Sequence, residues 1–251
     1  MANKVHVIKF LNLLQKATLN WSIPHVRISF SKDTYRVGMN GGNAKLFLNG
    51  VNDIITGIPS ADEREMNFQD AVKNVKAYLS IILPDADGFA DIQIKDEKII
   101  IKSGNQKTQC FFCSSHIPTV FDKMPKDIGN EIVNFDIDEE FVTAYSLIKK
   151  VAGGFGKVYF GVDDGSLFME AGDRTSPHTN NMTIKLQESP SDDMFVCFDF
   201  KSFNDIMTLM GNDAYNFSFR LGYQPLRKSG LISITKGEEE IYLLVSLREN
   251  A

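Results

Sequence analysis

The feature that most constrains this chain is a pattern that occurs twice. On either side of Ile117–Val133 (IPTVFDKMPKDIGNEIV), a loop-like stretch with two prolines and a glycine, the order is the same: an amphipathic helix, alternating strands, a second amphipathic helix and a closing set of strands. In the first half, Val7–Leu19 carries Val7, Phe10, Leu11, Leu13, Leu14 and Ala17 on one broad apolar face, while Lys9, Asn12, Lys16 and Asn20 fall on the other. Ile23-Pro24 ends that helix. Val26, Ile28 and Phe30 alternate into Tyr35, Val37 and Met39 across a Ser31-Lys32-Asp33 turn, and Asn40-Gly41-Gly42-Asn43 turns the chain again toward Leu46 and Leu48. A second helix is predicted with Asn67 as its cap, Phe68, Val72, Val75, Leu79 and Ile82 on its apolar face, Lys73, Lys76 and Ser80 opposite, and Pro84 as its stop. Strands at Phe89–Ile94, Ile99–Ile101 and Thr108–Cys113 complete the half.

The second half repeats this order. Asp138 caps a helix with Phe141, Tyr145, Ile148 and Val151 inward, Glu139, Thr143, Ser146 and Lys150 outward, and Gly153-Gly154 as its stop. Val158, Phe160 and Val162 turn at Asp163-Asp164-Gly165-Ser166 into Leu167, Met169 and Ala171, and Met182, Ile184 and Leu186 follow a longer loop. Phe203, Ile206, Met207 and Met210 form the fourth helix, ended by Gly211. Tyr215–Leu221, Leu231–Thr235 and Ile241–Leu247 close the sheet. Landmarks recur at similar offsets: 131 residues from Phe10 to Phe141, 135 from Phe68 to Phe203, and near 132 for the closing strands. The expected fold is α+β, two tandem copies of one unit, each with two helices packed on antiparallel sheets. The division is residues 1–116, a connector at 117–133, and residues 134–251.

Composition narrows the function classes. The 251 residues suffice for one large core or two modest ones. No run of about 18 apolar residues and no charged-then-apolar leader occurs, so a cytoplasmic protein is expected. Three cysteines without an export signal argue for free thiols. The net charge of −5 divides unevenly: residues 1–118 hold 14 Lys+Arg against 11 Asp+Glu, a balance of +3, and residues 119–251 hold 13 against 21, a balance of −8. A protein gripping nucleic acid over its whole surface would be basic, so contact with a polyanion must be confined to a local patch.

Catalytic and metal chemistry find little support. Cys110-Phe111-Phe112-Cys113 has C-x-x-C spacing, but on a predicted strand residues three apart face opposite sides, and no second pair exists. Gly153-Gly154-Phe155-Gly156 follows a helix, whereas phosphate-binding loops follow a strand. Asp163-Asp164 and Asp192-Asp193 sit in turn-like settings. His6, His25, His116 and His178 are scattered. Nothing assembles an acid, a base and a nucleophile, so no enzyme, metal or cofactor is expected.

The duplicated helix–sheet–helix–sheet unit, its long connector and the closing run Phe217-Ser218-Phe219, Leu231-Ile232-Ser233-Ile234 and Ile241-Tyr242-Leu243-Leu244-Val245 resemble the DNA polymerase sliding clamps, over nearly the whole chain. The characteristic early motif of the eukaryotic proliferating cell nuclear antigen group is missing after the first hairpin, so the resemblance is to a viral or phage-type clamp. It implies a homotrimeric ring of six domains, with helices lining a hole around duplex DNA and sheets outside, loaded by a clamp loader and tethering a polymerase. A sliding ring needs exchangeable contacts to phosphates, which lysines on flexible stems supply. The expected DNA-facing residues are Lys9, Asn12, Lys16, Lys73, Lys76, Lys149, Lys150 and Lys201. The plain alternative for each is a solvated helix face. The resemblance also implies a partner groove beside the connector, with Phe121, Met124, Pro125 and Ile128 joined by Leu247; the alternative is a connector packing its own apolar residues. Two other functions remain open: a clamp-fold processivity factor that holds DNA by charge without a ring, and a β-rich viral assembly protein.

Overall fold

The computed structural model describes residues 3–70, 72–114, 130–172, 174, 181–189 and 193–247. The chain divides into two compact units, Met1–Gly41 with Leu46–Met124, and Gly42–Lys45 with Pro125–Ala251.

The first unit runs β1 (Asn3–His6), α1 (Val7–Ala17), β2 (Val26–Phe30), β3 (Thr34–Gly41), β4 (Ala44–Val51), β5 (Ile55–Thr56) and β6 (Arg64–Phe68). A π-helical turn at Val72–Lys76 then passes into α2 (Ala77–Leu79), followed by β7 (Phe89–Ile94), β8 (Lys98–Ser103) and β9 (Gln106–Phe111). One sheet has the order β5-β1-β7-β8-β9, and β4-β3-β2-β6 are neighbours in another. Alternation explains the strands: Val26, Ile28 and Phe30 turn inward from β2 and are fully buried. Phe10 of α1 meets Phe30 and Phe68 edge-to-face, at 6.1 and 6.4 Å between ring centroids, the geometry that aromatic quadrupoles favour.

The second unit runs β10 (Asn130–Asp136), α3 (Glu139–Ala152), β11 (Lys157–Asp163), β12 (Ser166–Ala171), β13 (Met182–Glu188), β14 (Met194–Asp199), α4 (Phe200–Met210), β15 (Ser218–Gln224), β16 (Ser229–Lys236) and β17 (Glu240–Val245). Its neighbours are β10-β15-β16-β17 and β13-β12-β11-β14. Asp138 caps α3 through its side chain, which accepts from the Phe141 N–H at 2.8 Å, as the sequence predicts. Asp164 and Gly165, at φ 46° and 69°, make the tight β11–β12 hairpin, so Asp164 serves turn chemistry.

The two halves therefore match strand for strand: apart from β5, the order β1-β7-β8-β9 corresponds to β10-β15-β16-β17, and β4-β3-β2-β6 to β13-β12-β11-β14. Helix α1 buries Phe10, Leu13, Leu14 and Ala17, and α3 buries Phe141, Ala144, Tyr145 and Ile148, each 131 residues further on (10 to 141, 13 to 144, 14 to 145, 17 to 148).

Several expectations are corrected. The second helix does not start at Phe68. Phe68 ends β6 opposite Val26, and Asn67 spends its side chain on Arg27 Nε (2.9 Å) and Glu65 (2.8 Å). An apolar residue four before Val72 fits a helix and a strand end equally, and pairing with β2 decides for the strand. The equivalent of Phe68 is then Phe198, the penultimate residue of β14 opposite Val158, 130 residues on, and not Phe203. The turn-like Asp192-Asp193 implies a strand after it without giving its bounds, and the structure forms β14 there. The first helix ends at Ala17 because Leu19, Asn20 and Trp21 turn left-handed. Asn130–Val133, read as the end of a loop, opens β10, which is held by β15 and bulged between Glu131 and Val133. Strand β9 stops at Phe111, short of Cys113, whose N–H bonds to Asn67 O at 2.8 Å.

Candidate nucleic-acid interface

In the first unit, the buried stripe of α1 (Val7, Phe10, Leu13, Leu14, Ala17) forces Lys9, Asn12 and Lys16 to the opposite side. Lys9 and Asn12 are exposed and Lys16 is half-buried in the last turn, where the helix dipole favours a cation. The helix carries no carboxylate. Lys9 pairs with Asp53 from the loop after β4, with both side chains largely in solvent, so the pair is weak and readily exchanged. Lys73 and Lys76 stand on the π-helical turn. Lys73 lies 3.3 Å from Asp70, and the Lys76 ammonium sits 4.6 Å from the centre of the Trp21 ring.

In the second unit, α3 and α4 are tied by the Tyr145 hydroxyl and Asn204 Oδ1 at 2.8 Å, and by the edge-to-face rings of Tyr145 and Phe203. Lys149 and Lys150 are exposed in the last turn of α3, with the Lys149 ammonium 5.7 Å from the Tyr145 ring. Lys201 is different. It bonds Asp205 at 2.9 Å, and the Asp205 side chain is only 9% exposed, so this lysine neutralises an otherwise costly buried carboxylate. Its charge is committed within the protein. Four counted carboxylates and lysines make α3 neutral, Glu139 and Glu140 against Lys149 and Lys150, whereas α1 has only cations. The basic face is thus strongest in the first unit. Sequence reasoning missed Trp21, although its being the sole tryptophan, just past a basic helix, was a usable signal.

Of the expected partner groove, Phe121, Met124, Pro125 and Ile128 lie outside the described residues. Leu247 is half-buried and its N–H bonds Cys197 O at 2.8 Å. Cys110 is buried, and burial pushes its thiol up to about 11; Cys113 is also raised by burial. Neither is an activated thiolate at neutral pH. Among the described residues no group of three or more His, Cys, Asp or Glu could hold a metal ion, and no helix is long and apolar enough to cross a membrane.

No protein-family model and no curated protein matches the sequence. Solved structures do. The chain is similar to a DNA polymerase sliding clamp from Bacillus subtilis (TM-score 0.71, 15% identity, 100% of this chain and 65% of that one). It is similar to the DNA polymerase III subunit beta of Pseudomonas aeruginosa (TM-score 0.69, 15% identity, 99% and 66%). It also matches A. fulgidus PCNA, solved with the C-terminal region of FEN-1 bound (TM-score 0.63, 13% identity), over 100% of this chain and 99% of that one. The chain spans about two thirds of the length of the Bacillus subtilis and Pseudomonas aeruginosa clamps and essentially all of A. fulgidus PCNA. Its fold, in both units and end to end, is the fold of the DNA polymerase sliding clamps.

Proposed function

We propose that this protein is a DNA sliding clamp: three copies close a ring, the helices face duplex DNA, and the outside tethers a replicative polymerase. The observation that carries the reading is the end-to-end correspondence with A. fulgidus PCNA. The lysine-bearing helix faces agree with it, because a ring that must slide needs mobile, sequence-independent phosphate contacts. The function is then mechanical. Topology holds the ring on DNA, and a tethered polymerase meets its template at high effective concentration, so no chemistry is required of the clamp.

The exposed edges support self-assembly. Strand β9 ends one sheet of the first unit, and its Phe111 is 60% exposed. Gln106 of β9 holds the main chain of Ile81 and Leu83 (3.0 and 2.7 Å), whose side chains are 63% and 72% exposed. Strand β13 ends a sheet of the second unit with Ile184 and Leu186 half-buried. Two edges that no strand covers among the described residues, with apolar flanks, are an aggregation hazard unless covered. Joining β9 of one copy to β13 of the next covers both, and because the two surfaces differ, repetition generates a ring or a filament. Three copies of a two-unit chain give the six-domain ring.

Lys9, Asn12, Lys16, Lys73, Lys76, Lys149 and Lys150 would face the DNA, with Lys201 contributing least. The polymerase and a clamp loader would dock at Phe121, Met124, Pro125 and Ile128 beside Leu247; the FEN-1 segment on A. fulgidus PCNA supports a peptide-docking surface of this kind. The test is mass in solution and retention on DNA. A particle of about 85 kDa, three times 28.2 kDa, that stays on closed circles in high salt and leaves when they are cut is expected. A monomer at micromolar concentration, or equal salt-driven loss from circles and linear DNA, overturns the ring.

A further inference from the structure

Two rare backbone features, some fifty residues apart in sequence, meet at one side-chain pair in the first unit. Leu19, Asn20 and Trp21 are three consecutive non-glycine residues at φ 49°, 53° and 67°. That conformation is tolerated by Asn20 but unfavourable for Leu19 and Trp21, and it persists here because the turn is over-determined. Asn20 N–H bonds Gln15 O (2.8 Å), Ile23 N–H bonds Thr18 O (2.8 Å), Trp21 N–H bonds Thr18 Oγ1 (3.2 Å), and Gln15 Nε2 bonds Asn20 Oδ1 (2.9 Å). The second feature is the π-helical turn Val72–Lys76, preceded by Asp70 at φ 52°. Such turns are rare and concentrate at functional sites. Four of the six described non-glycine residues with positive φ belong to these two segments. What they bring together is Lys76 over the face of the sole tryptophan, 4.6 Å away, just past the C-terminal end of the all-cationic helix α1.

A core would not need this arrangement. Leu19 and Thr18 are buried and anchor the turn, while Trp21 is half-buried and Lys76 partly exposed. An aromatic ring braced at the rim of a basic face, with a lysine on it, is the combination that binds single-stranded nucleic acid: a base stacks on the ring and the cation takes the phosphate. We propose that Trp21 and Lys76 form a stacking site for single-stranded DNA, in which a base replaces the Lys76 ammonium on the indole and the ammonium moves to the adjoining phosphate. The exchange is favourable because a half-buried cation–π contact is worth about 2- to 30-fold in affinity, against up to about 150-fold for a stacked base. A base in a duplex has no free face to offer, so the site selects unpaired template. This rests on the reading that the helix face of the first unit meets DNA.

Because Trp21 is the only tryptophan, its fluorescence reports this site alone. Titrating the full-length protein at low salt with oligo-dT should quench the emission, and a blunt duplex of equal length should leave it nearly unchanged. Trp21→Phe, which keeps a ring and the fold, should weaken oligo-dT binding by a few-fold and Trp21→Ala by about fivefold or more. Lys76→Gln should lower the slope of log affinity against log salt by about 0.7. If the pair is only a staple between α1 and the π-turn, oligo-dT leaves the emission unchanged, Lys76→Gln moves the free protein's emission without altering oligo-dT affinity, and the proposal fails. Quenching by duplex as strong as by oligo-dT also overturns it. Quenching by oligo-dT in a protein that proves monomeric would retain this site and remove the ring.

Discussion

Replacing Ile81 and Leu83 together by serine tests the assembly at its most exposed apolar point. In the single chain these side chains are 63% and 72% exposed, while their main-chain atoms are held by Gln106, so the substitution leaves those hydrogen bonds in place. Full burial of such a side chain is worth about 1.5–3 kcal/mol, and about two thirds of it remains available for an interface, giving about 1–2 kcal/mol each and about 2–4 kcal/mol together. At about 1.4 kcal/mol per tenfold, each subunit contact should weaken by about 30- to 700-fold. Mass distributions over a dilution series would read this as trimer giving way to monomer at far higher concentration than in the parent. The folded monomer should keep its urea stability to within about 0.5 kcal/mol, as exposed sites do. An unchanged dilution curve would refute the placement of the interface at β9. A loss of monomer stability equal to the loss of assembly would refute the premise that these side chains are spare.

Lys201→Ala should cost about 1–2 kcal/mol of stability in urea, discounted for the exposure of the lysine, because it removes the cation 2.9 Å from the buried Asp205 carboxylate; Lys150→Ala should cost less than about 0.5 kcal/mol while lowering the salt slope of duplex binding by about 0.9. Gly161→Ala should destabilise by about 1–3 kcal/mol, since a Cβ there would lie 2.4 Å from Phe168 Cζ and 2.8 Å from Phe195 Cδ2. In the native protein at neutral pH a thiol reagent should label Cys113 slowly and spare the buried Cys110 and Cys197, with all three reacting on unfolding. Asp85 should titrate below the ordinary carboxylate value, because the Phe89 N–H bonds it at 2.7 Å and Lys4 lies near; its contribution to stability is present above that ordinary value and fades as pH falls through the lowered one, a dependence that Asp85→Asn should remove.

The two amphipathic helices α1 and α3 were legible because their buried faces repeat at the helical period, Phe10, Leu13, Leu14, Ala17 against Phe141, Ala144, Tyr145, Ile148. The hairpins were legible for the same kind of reason, with period two and turn residues such as Asp164-Gly165 between them. Phe68 was misread because its spacing to Val72 suits a helix, and only its pairing with Val26 makes it a strand end. Strands β1, β10 and β14 were missed, cut short or left without bounds. Asn3–His6 is short, Asn130–Asp136 interrupts its apolar residues with Asn and Glu, and both become strands because β7 and β15 offer them ladders. The lysines could be assigned to polar faces by periodicity, but their partners could not. Asp53 reaches Lys9 across 44 residues, and Trp21 reaches Lys76 across 55, and neither is foreshadowed locally.

The sequence by itself determined the duplication, the α+β class and which side of each long helix is polar, because all three follow from the periodic placement of apolar residues, a local property. Only the tertiary structure decided strand order, the register that separates Phe68 from the second helix, and which charges are spent within the protein, as Lys201 is on Asp205. Those outcomes depend on what a residue meets far along the chain: a ladder partner, a buried carboxylate or an aromatic face changes the free energy of a side chain by as much as its own propensity does. The left-handed turn at Leu19-Asn20-Trp21 belongs to this second group. Asn20 tolerates positive φ, but nothing in Leu19 or Trp21 asks for it, and the hydrogen bonds to Gln15 and Thr18 impose it.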